Sequence, residues 1–162
     1  MEGLGKLRGN LFPLLPVSLS VIICDQLSKH LFNQYLSVGQ SLPVIRNIFH
    51  FTLVYNTGIA FGLFKNQSVL FIILSLAVIS SLFINILRES KDRKLDRINW
   101  FSLSLILGGA VGNLIDRLRF GYVVDFLDFR IWPVFNLADS CITVGVILIF
   151  IQCIQSSVPS GR

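Results

Sequence analysis

The feature that most constrains this chain is a run of 20 residues, Ser68 to Leu87, without a single charged side chain. At about 1.5 Å per residue, a helix of that length crosses the roughly 30 Å hydrocarbon core of a bilayer. Three more apolar runs accompany it. The first is Leu11 to Cys24. Another, Ile98 to Ile115, is broken only by Asn99, serines, glycines and Asn113. The last, Ala138 to Ile154, has Asp139 near its start and Gln152 near its end. Composition agrees: 53% of residues are hydrophobic and 14% charged, against about 25% charged in soluble proteins. A soluble domain of 162 residues could not hide that much apolar surface, whereas lipid stabilises it. The sequence therefore predicts an all-α membrane protein with four spanning helices, near residues 13–34, 68–87, 98–116 and 138–155, in one membrane-embedded domain over residues 1–162.

The first run has a basic start and a short apolar centre, like a signal peptide. No A-x-A-like site follows it, three more apolar runs do, and the segment continues past Asp25 as an amphipathic stretch. It reads as a retained helix from about Pro13 to Leu36.

The net charge of +5 does not point to nucleic acid. Five of the 14 basic residues, Arg88, Lys91, Arg93, Lys94 and Arg97, crowd one short loop between apolar runs. Lys6 and Arg8 precede the first run. The positive-inside rule places both groups in the cytoplasm, and four spans return the C-terminus to the same side. The other two loops then face outward. In the first of these, Ile48 to Asn56 alternates, with Phe49, Phe51, Leu53 and Tyr55 on one face and His50, Thr52, Val54 and Asn56 on the other. That period of two predicts a strand, hence a small extracytoplasmic β-sheet between helices 1 and 2. Gly58 and Gly62 punctuate the way back to the membrane.

Ionisable groups at membrane depth are costly and need a reason. Asp25, Asp116, Asp125 and Asp139 all fall at or near the outer helix ends. Asp25 and Lys29 have the i,i+4 order that favours an ion pair, with Lys29 free to snorkel outward. Gly108 and Gly112 make a small-xxx-small step for close helix packing. Asn113, Asp116 and Arg117 continue that region, and Asp116 with Arg117 reads as a local structural pair. Asn136 followed by Asp139 has the spacing of an N-cap and its N3 partner, a variant of the capping box. His30 and His50 are isolated, and Cys24, Cys141 and Cys153 lack metal-ligand spacing.

Two close carboxyls can hydrolyse a peptide without metal or covalent nucleophile if they share one proton: the ionised one deprotonates water and the protonated one donates to the scissile carbonyl. Parts for other mechanisms are missing. There is no GxSxG, no HExxH and no glycine-rich phosphate loop. No metal or cofactor is expected. On spacing alone Asp116 competes with Asp125 as one member of the pair. Arg117 beside Asp116 tips the balance toward Asp125, since a strongly paired carboxylate is a poor proton donor.

Five segments, in order from residue 25 to 140, resemble the lipoprotein signal peptidases (signal peptidase II) of the bacterial inner membrane. They are Asp25-Gln-Leu-Ser-Lys29, Asn56-Thr-Gly-Ile-Ala-Phe61, Gly108-Gly-Ala-Val-Gly-Asn-Leu-Ile-Asp-Arg117, Val123-Val-Asp-Phe126 and Phe135-Asn-Leu-Ala-Asp-Ser140. Ile59 stands where that family often has a smaller residue. The resemblance implies a four-helix membrane aspartyl protease, multi-pass in the inner membrane, with its active site on the extracytoplasmic side. It implies that Asp125 and Asp139 are the catalytic dyad. Asn56, Gly58, Asn113, Arg117 and Asn136 then line or shape the site, and Asp25, Lys29 and Asp116 support it. The implied substrate is a prolipoprotein cut before a cysteine that carries diacylglycerol; membrane lipid is the other partner, and nucleic acid is not one. A small proton-coupled transporter is the alternative. It predicts acids near mid-membrane and broken helices or repeats, whereas these acids cluster at one end.

Overall fold

The computed structural model describes residues 14–58, 67–92 and 97–157, with the backbone alone for 85–92 and 157. The basic residues Lys6, Arg8, Arg93, Lys94 and Arg162, Gly62, and positions 59–61 of the second motif lie outside the described residues. In chain order come α1 (Leu14–Tyr35), β1 (Ser41–Ile45), β2 (Phe49–Asn56), α2 (Ser68–Asp92), α3 (Arg97–Phe120), β3 (Val123–Asp128) and α4 (Leu137–Ser157).

The helices form where the apolar runs predict them. Their burial pattern is the reverse of a soluble protein's. On α1 the buried stripe is Leu14, Ser18, Val21, Asp25 and Lys29, at helical spacing. Leu15, Leu19, Ile23, Leu27 and Leu31 face outward, each about half exposed. Polar groups inside and leucines outside make sense only for a helix solvated by something apolar. By length and composition α3 and the Leu137–Ser156 part of α4 suffice to cross a membrane, and α2 adds a shorter apolar stretch, Ser68–Ile84.

Helix α3 is the axis of the bundle and packs most extensively on α4 and α1. Small residues make this possible. A Cβ on Gly108 would fall 2.8 Å from the Ser18 carbonyl oxygen of α1, and one on Gly109 would fall 2.5 Å from the Ala138 carbonyl oxygen of α4. Backbones that close gain packing that lipid cannot offer, and Ser18 adds an interhelical hydrogen bond to the Ser104 carbonyl, 3.0 Å. Gly109→Val should therefore push α3 and α4 apart and lower thermal stability in detergent by about 1–3 kcal/mol.

The sheet differs from the expectation in one respect. Strands β1 and β2 lie between helices 1 and 2, but a third strand comes from the segment between α3 and α4, giving the antiparallel order β1-β2-β3. Val54 faces Asp125 and Asn56 faces Val123 across the ladder. The signal for β3 was short: the β-branched pair Val123-Val124 and little alternation. Gly121, at φ 79°, ends α3; its N–H bonds the Arg117 carbonyl at 3.0 Å and the chain turns sharply into β3, a left-handed cap that suits glycine. Leu36, Leu53 and Val124, with Phe32, Phe51 and Tyr122, seat the sheet on the end of α1. Phe32 also stacks on Phe126, with centroids 4.2 Å apart.

Candidate active site

The site forms where β3, the end of β2 and the N-terminus of α4 meet the last turns of α1 and α3. Asn136 caps α4 as its spacing predicts: its Oδ1 accepts from the Asp139 N–H at 2.9 Å, and its own N–H reaches Asp139 Oδ2 at 3.4 Å. Two functions meet in this residue, because its Nδ2 also donates to Asp125 Oδ1 at 2.7 Å. One fully buried asparagine thus holds both acids. Asp125 Oδ2 accepts a second hydrogen bond from Asn56 Nδ2, 2.9 Å, and Asn56 Oδ1 is fixed by the Gly58 N–H, 3.0 Å. Asp139 Oδ1 accepts from Asn113 Nδ2 at 2.7 Å.

Behind Asn113 lies a buried ionic cluster. Lys29, 3% exposed, places its ammonium 2.8 Å from Asp25 Oδ2, 2.9 Å from Asp116 Oδ2 and 3.0 Å from Asn113 Oδ1. Three acceptors match the three ammonium hydrogens. The ion pair expected between Asp25 and Lys29 is present, but Lys29 points inward instead of snorkelling, because the carboxylate and amide oxygens it needs are inside. Asp116 likewise departs from the local pair expected with Arg117. Its ionic partner is Lys29, and its carboxyl also takes the Val124 N–H (3.1 Å) and Gln26 Nε2 (2.9 Å). Arg117 instead sets its guanidinium over the Phe71 ring, 5.3 Å from its centroid. Asp25 Oδ1 accepts the Ala138 N–H at 3.0 Å, so a carboxylate of α1 caps the positive end of α4.

A cleft of about 400 Å³ opens over the two acids. Asn56, Gly58, Asn113, Arg117, Asp125 and Asp139 line it, with Phe71, Val123 and the segment Trp132 to Phe135. Asn136 stands behind this wall, and Asp25, Lys29 and Asp116 stand behind Asn113. Asp125 is 1% exposed. Burial first, then the neighbouring Asp139 carboxylate, push its carboxyl from the ordinary 3.8 up to about 7, against hydrogen bonds from Asn56 and Asn136 and the charge of Lys29. Among the described residues no group of three or more His, Cys, Asp or Glu side chains converges to hold a metal ion.

Gln26 was not singled out by the sequence. Its Nε2 bridges Asp25, Asp116 and the Gly112 carbonyl; it stands in the first motif, which gave it no role of its own. Trp132 was also unmarked, because a loop aromatic carries no spacing.

The family described as signal peptidase (SPase) II matches residues 17–155. The chain belongs to the signal peptidase II family. A lipoprotein signal peptidase of Moorella thermoacetica is 49% identical over 150 residues, 93% of this chain and 96% of that protein. One of Trichormus variabilis is 46% identical over 82% of this chain and 84% of its own length. Among solved structures, a bacterial membrane enzyme determined at 2.3 Å superposes with a TM-score of 0.83 at 31% identity, covering 92% of each chain. As a signal peptidase II member the chain is a bacterial membrane peptidase, and the cleft is the place to look for its chemistry.

Proposed function

We propose that this chain is an aspartyl endopeptidase that removes the signal peptide from diacylglyceryl-modified prolipoproteins, cutting before the lipidated cysteine, with Asp125 and Asp139 as its catalytic pair. The observation that carries the reading is the placement of both carboxyls on one cleft, each tied to Asn136. The four helices then cross the bacterial inner membrane with both termini in the cytoplasm, and the sheet and cleft face the extracytoplasmic side.

The chemistry follows from one proton shared by two acids. Like charges this close do not both ionise easily, so over a window of pH the pair carries one proton. The ionised member takes a proton from a water held between the pair and the scissile carbon as the water oxygen bonds that carbon. The protonated member donates to the carbonyl oxygen, giving a neutral tetrahedral diol. The pair then gives its proton to the amide nitrogen as the C–N bond breaks, and takes one back from a diol hydroxyl as the new carboxyl forms, which restores the single-proton state. Asn56 and Asn113 keep the carboxyls in register through hydrogen bonds that need no charge. Arg117, at the cleft wall, offers donors to substrate carbonyls. Gly58 lets the substrate backbone approach. Asp25, Lys29 and Asp116 hold Asn113 from behind. The acid-pair mechanism uses no metal or cofactor, and the partners are the lipidated substrate and membrane lipid, not nucleic acid.

The direct test is cleavage of a purified diacylglyceryl-modified prolipoprotein in detergent. The product should end just before the lipidated cysteine, and a folded wild type that leaves the substrate intact overturns the reading. The same assay checks the proton count. Asp125 is raised to about 7, so activity should fall as the pH climbs through about 7 and the shared proton is lost. The sign for stability is the same. A carboxyl whose folded value lies above 3.8 favours folding when protonated. Its contribution is full below 3.8 and is lost as the pH rises toward 7. A rate still climbing well above pH 7 would show that no such proton is required.

A further inference from the structure

The catalytic cleft shares a wall with a second groove of different character. This groove encloses about 510 Å³ between the turn after β3, at Phe129, Ile131 and Trp132, and the start of α4, at Thr143 and Val144; Trp132, Phe135 and Asp139 line both cavities. Its polar side chains offer little to an occupant. Ser140 Oγ donates to the Asn136 carbonyl (2.9 Å) and Thr143 Oγ1 to the Asp139 carbonyl (2.8 Å), so the helix backbone takes up both hydroxyl hydrogens. What remains is mostly carbon.

The turn that carries the outer wall is tied to β2 and β3 by hydrogen bonds. Arg130 sits at φ 66°. Its N–H and guanidinium both bond Asp128, at 2.8 and 2.9 Å, and Thr52 Oγ1 bonds the same carboxylate at 2.7 Å. Ile131 and Trp132, which follow this brace in the chain, are 94% and 63% exposed. A preformed apolar channel costs its ligand little ordering.

We infer that this groove receives an acyl chain of the lipidated substrate residue while the adjoining peptide bond lies over Asp125 and Asp139. The inference rests on the peptidase reading above and adds where the lipid goes. A chain attached beside the scissile bond must leave the cleft within a few bonds of the acids, and the groove begins at Asp139 itself. A free membrane lipid seated there would bring no peptide bond to the cleft. Trp132, on both walls, separates the path of the peptide from that of the acyl chain.

Lipopeptides carrying two palmitoyl or two butanoyl chains on the same cleavage sequence test this, with wild type and Val144→Trp compared in one detergent. Val144 is 47% exposed and lines the groove more than one helical turn beyond Asp139, so a tryptophan there fills the part of the groove away from the acids. Wild type should show a KM about tenfold or more lower for the palmitoyl substrate; detergent already solvates the chain, so the preference comes from packing against the groove walls and not from escape from water. In Val144→Trp that preference should shrink to about twofold, with kcat on the butanoyl substrate within about twofold of wild type. Ile131→Ser provides a second variant, at a site where folding is not at risk, and should reduce the preference several-fold. A full chain-length preference in both variants overturns the groove while leaving the peptidase reading intact. A wild type that cuts neither lipopeptide fails at the earlier step and removes both.

Discussion

Asp125→Asn and Asp139→Asn are each expected to lower kcat for prolipoprotein cleavage by about 10²–10⁴-fold, the usual contribution of a positioned acid or base. The two losses should not multiply, because either change destroys the single-proton state that both groups create. Stability should separate them. Asp139 takes hydrogen bonds from the Asn136 backbone N–H and from Asn113 Nδ2. Neither donor can turn into an acceptor: one is main chain, and rotating the Asn113 amide would aim its NH₂ at the Lys29 ammonium. An asparagine at 139 must set its own NH₂ against one of them, which costs about 1–3 kcal/mol. At Asp125 one donor, Asn56, is a partly exposed side chain at a strand end, so Asp125→Asn should be milder in thermal unfolding and equally inert in cleavage. Asp116→Asn is the control. It alters the ionic cluster but not the cleft, so it should retain more activity than either dyad variant. An inert, fully folded Asp116→Asn would move the catalytic assignment to Asp116.

Much of this arrangement was legible in the sequence because lipid imposes simple rules. Apolar runs had to become helices, so α1, α3 and α4 lie close to their expected bounds. The Asn136–Asp139 spacing specified the cap, and the period of two specified β2. What escaped was non-local. Strand β3 is six residues long and forms by pairing with β2, a partner about 70 positions earlier in the chain, so the pair Val123-Val124 was too short a local pattern to announce it. The direction of Lys29 escaped for the same reason. Snorkelling is the default for a lysine near a helix end, and only the approach of Asp116 and Asn113 from α3 reverses it. The family resemblance named the residues at the site; the hydrogen bonds from Asn113 and Asn136 explain why asparagines, with an acceptor and a donor on one rigid plane, stand between a cation and two acids.

Lys29→Met should be the most destabilising single change in the bundle. The variant keeps most of the aliphatic stem and removes the charge, leaving Asp25 and Asp116 facing each other with side-chain exposures of 0% and 2%. Breaking a buried ionic cluster by deleting one partner costs about 3–5 kcal/mol, which corresponds to roughly 6–20 °C in Tm for a chain of this size. If stranded carboxylates are the cause, Asp116→Asn should recover part of the loss when added to Lys29→Met, although it is destabilising alone. That non-additivity distinguishes lost charge balance from lost packing. Function provides a separate readout. Without the ammonium, Asn113 Oδ1 keeps only the hydrogen bond from Asn136 Nδ2, 3.1 Å, so its amide is less firmly held and can turn its oxygen toward Asp139, trading an attractive contact for a repulsive one. At a temperature where Lys29→Met remains folded, kcat should fall with KM little changed, and the high-pH limb should move upward, because the Lys29 charge that lowers Asp125 is gone and the pair holds its proton longer. A Lys29→Met protein with wild-type Tm and wild-type pH profile would mean that the ammonium does not hold the cluster together, and that the orientation of Asn113 is set by Asn136 alone.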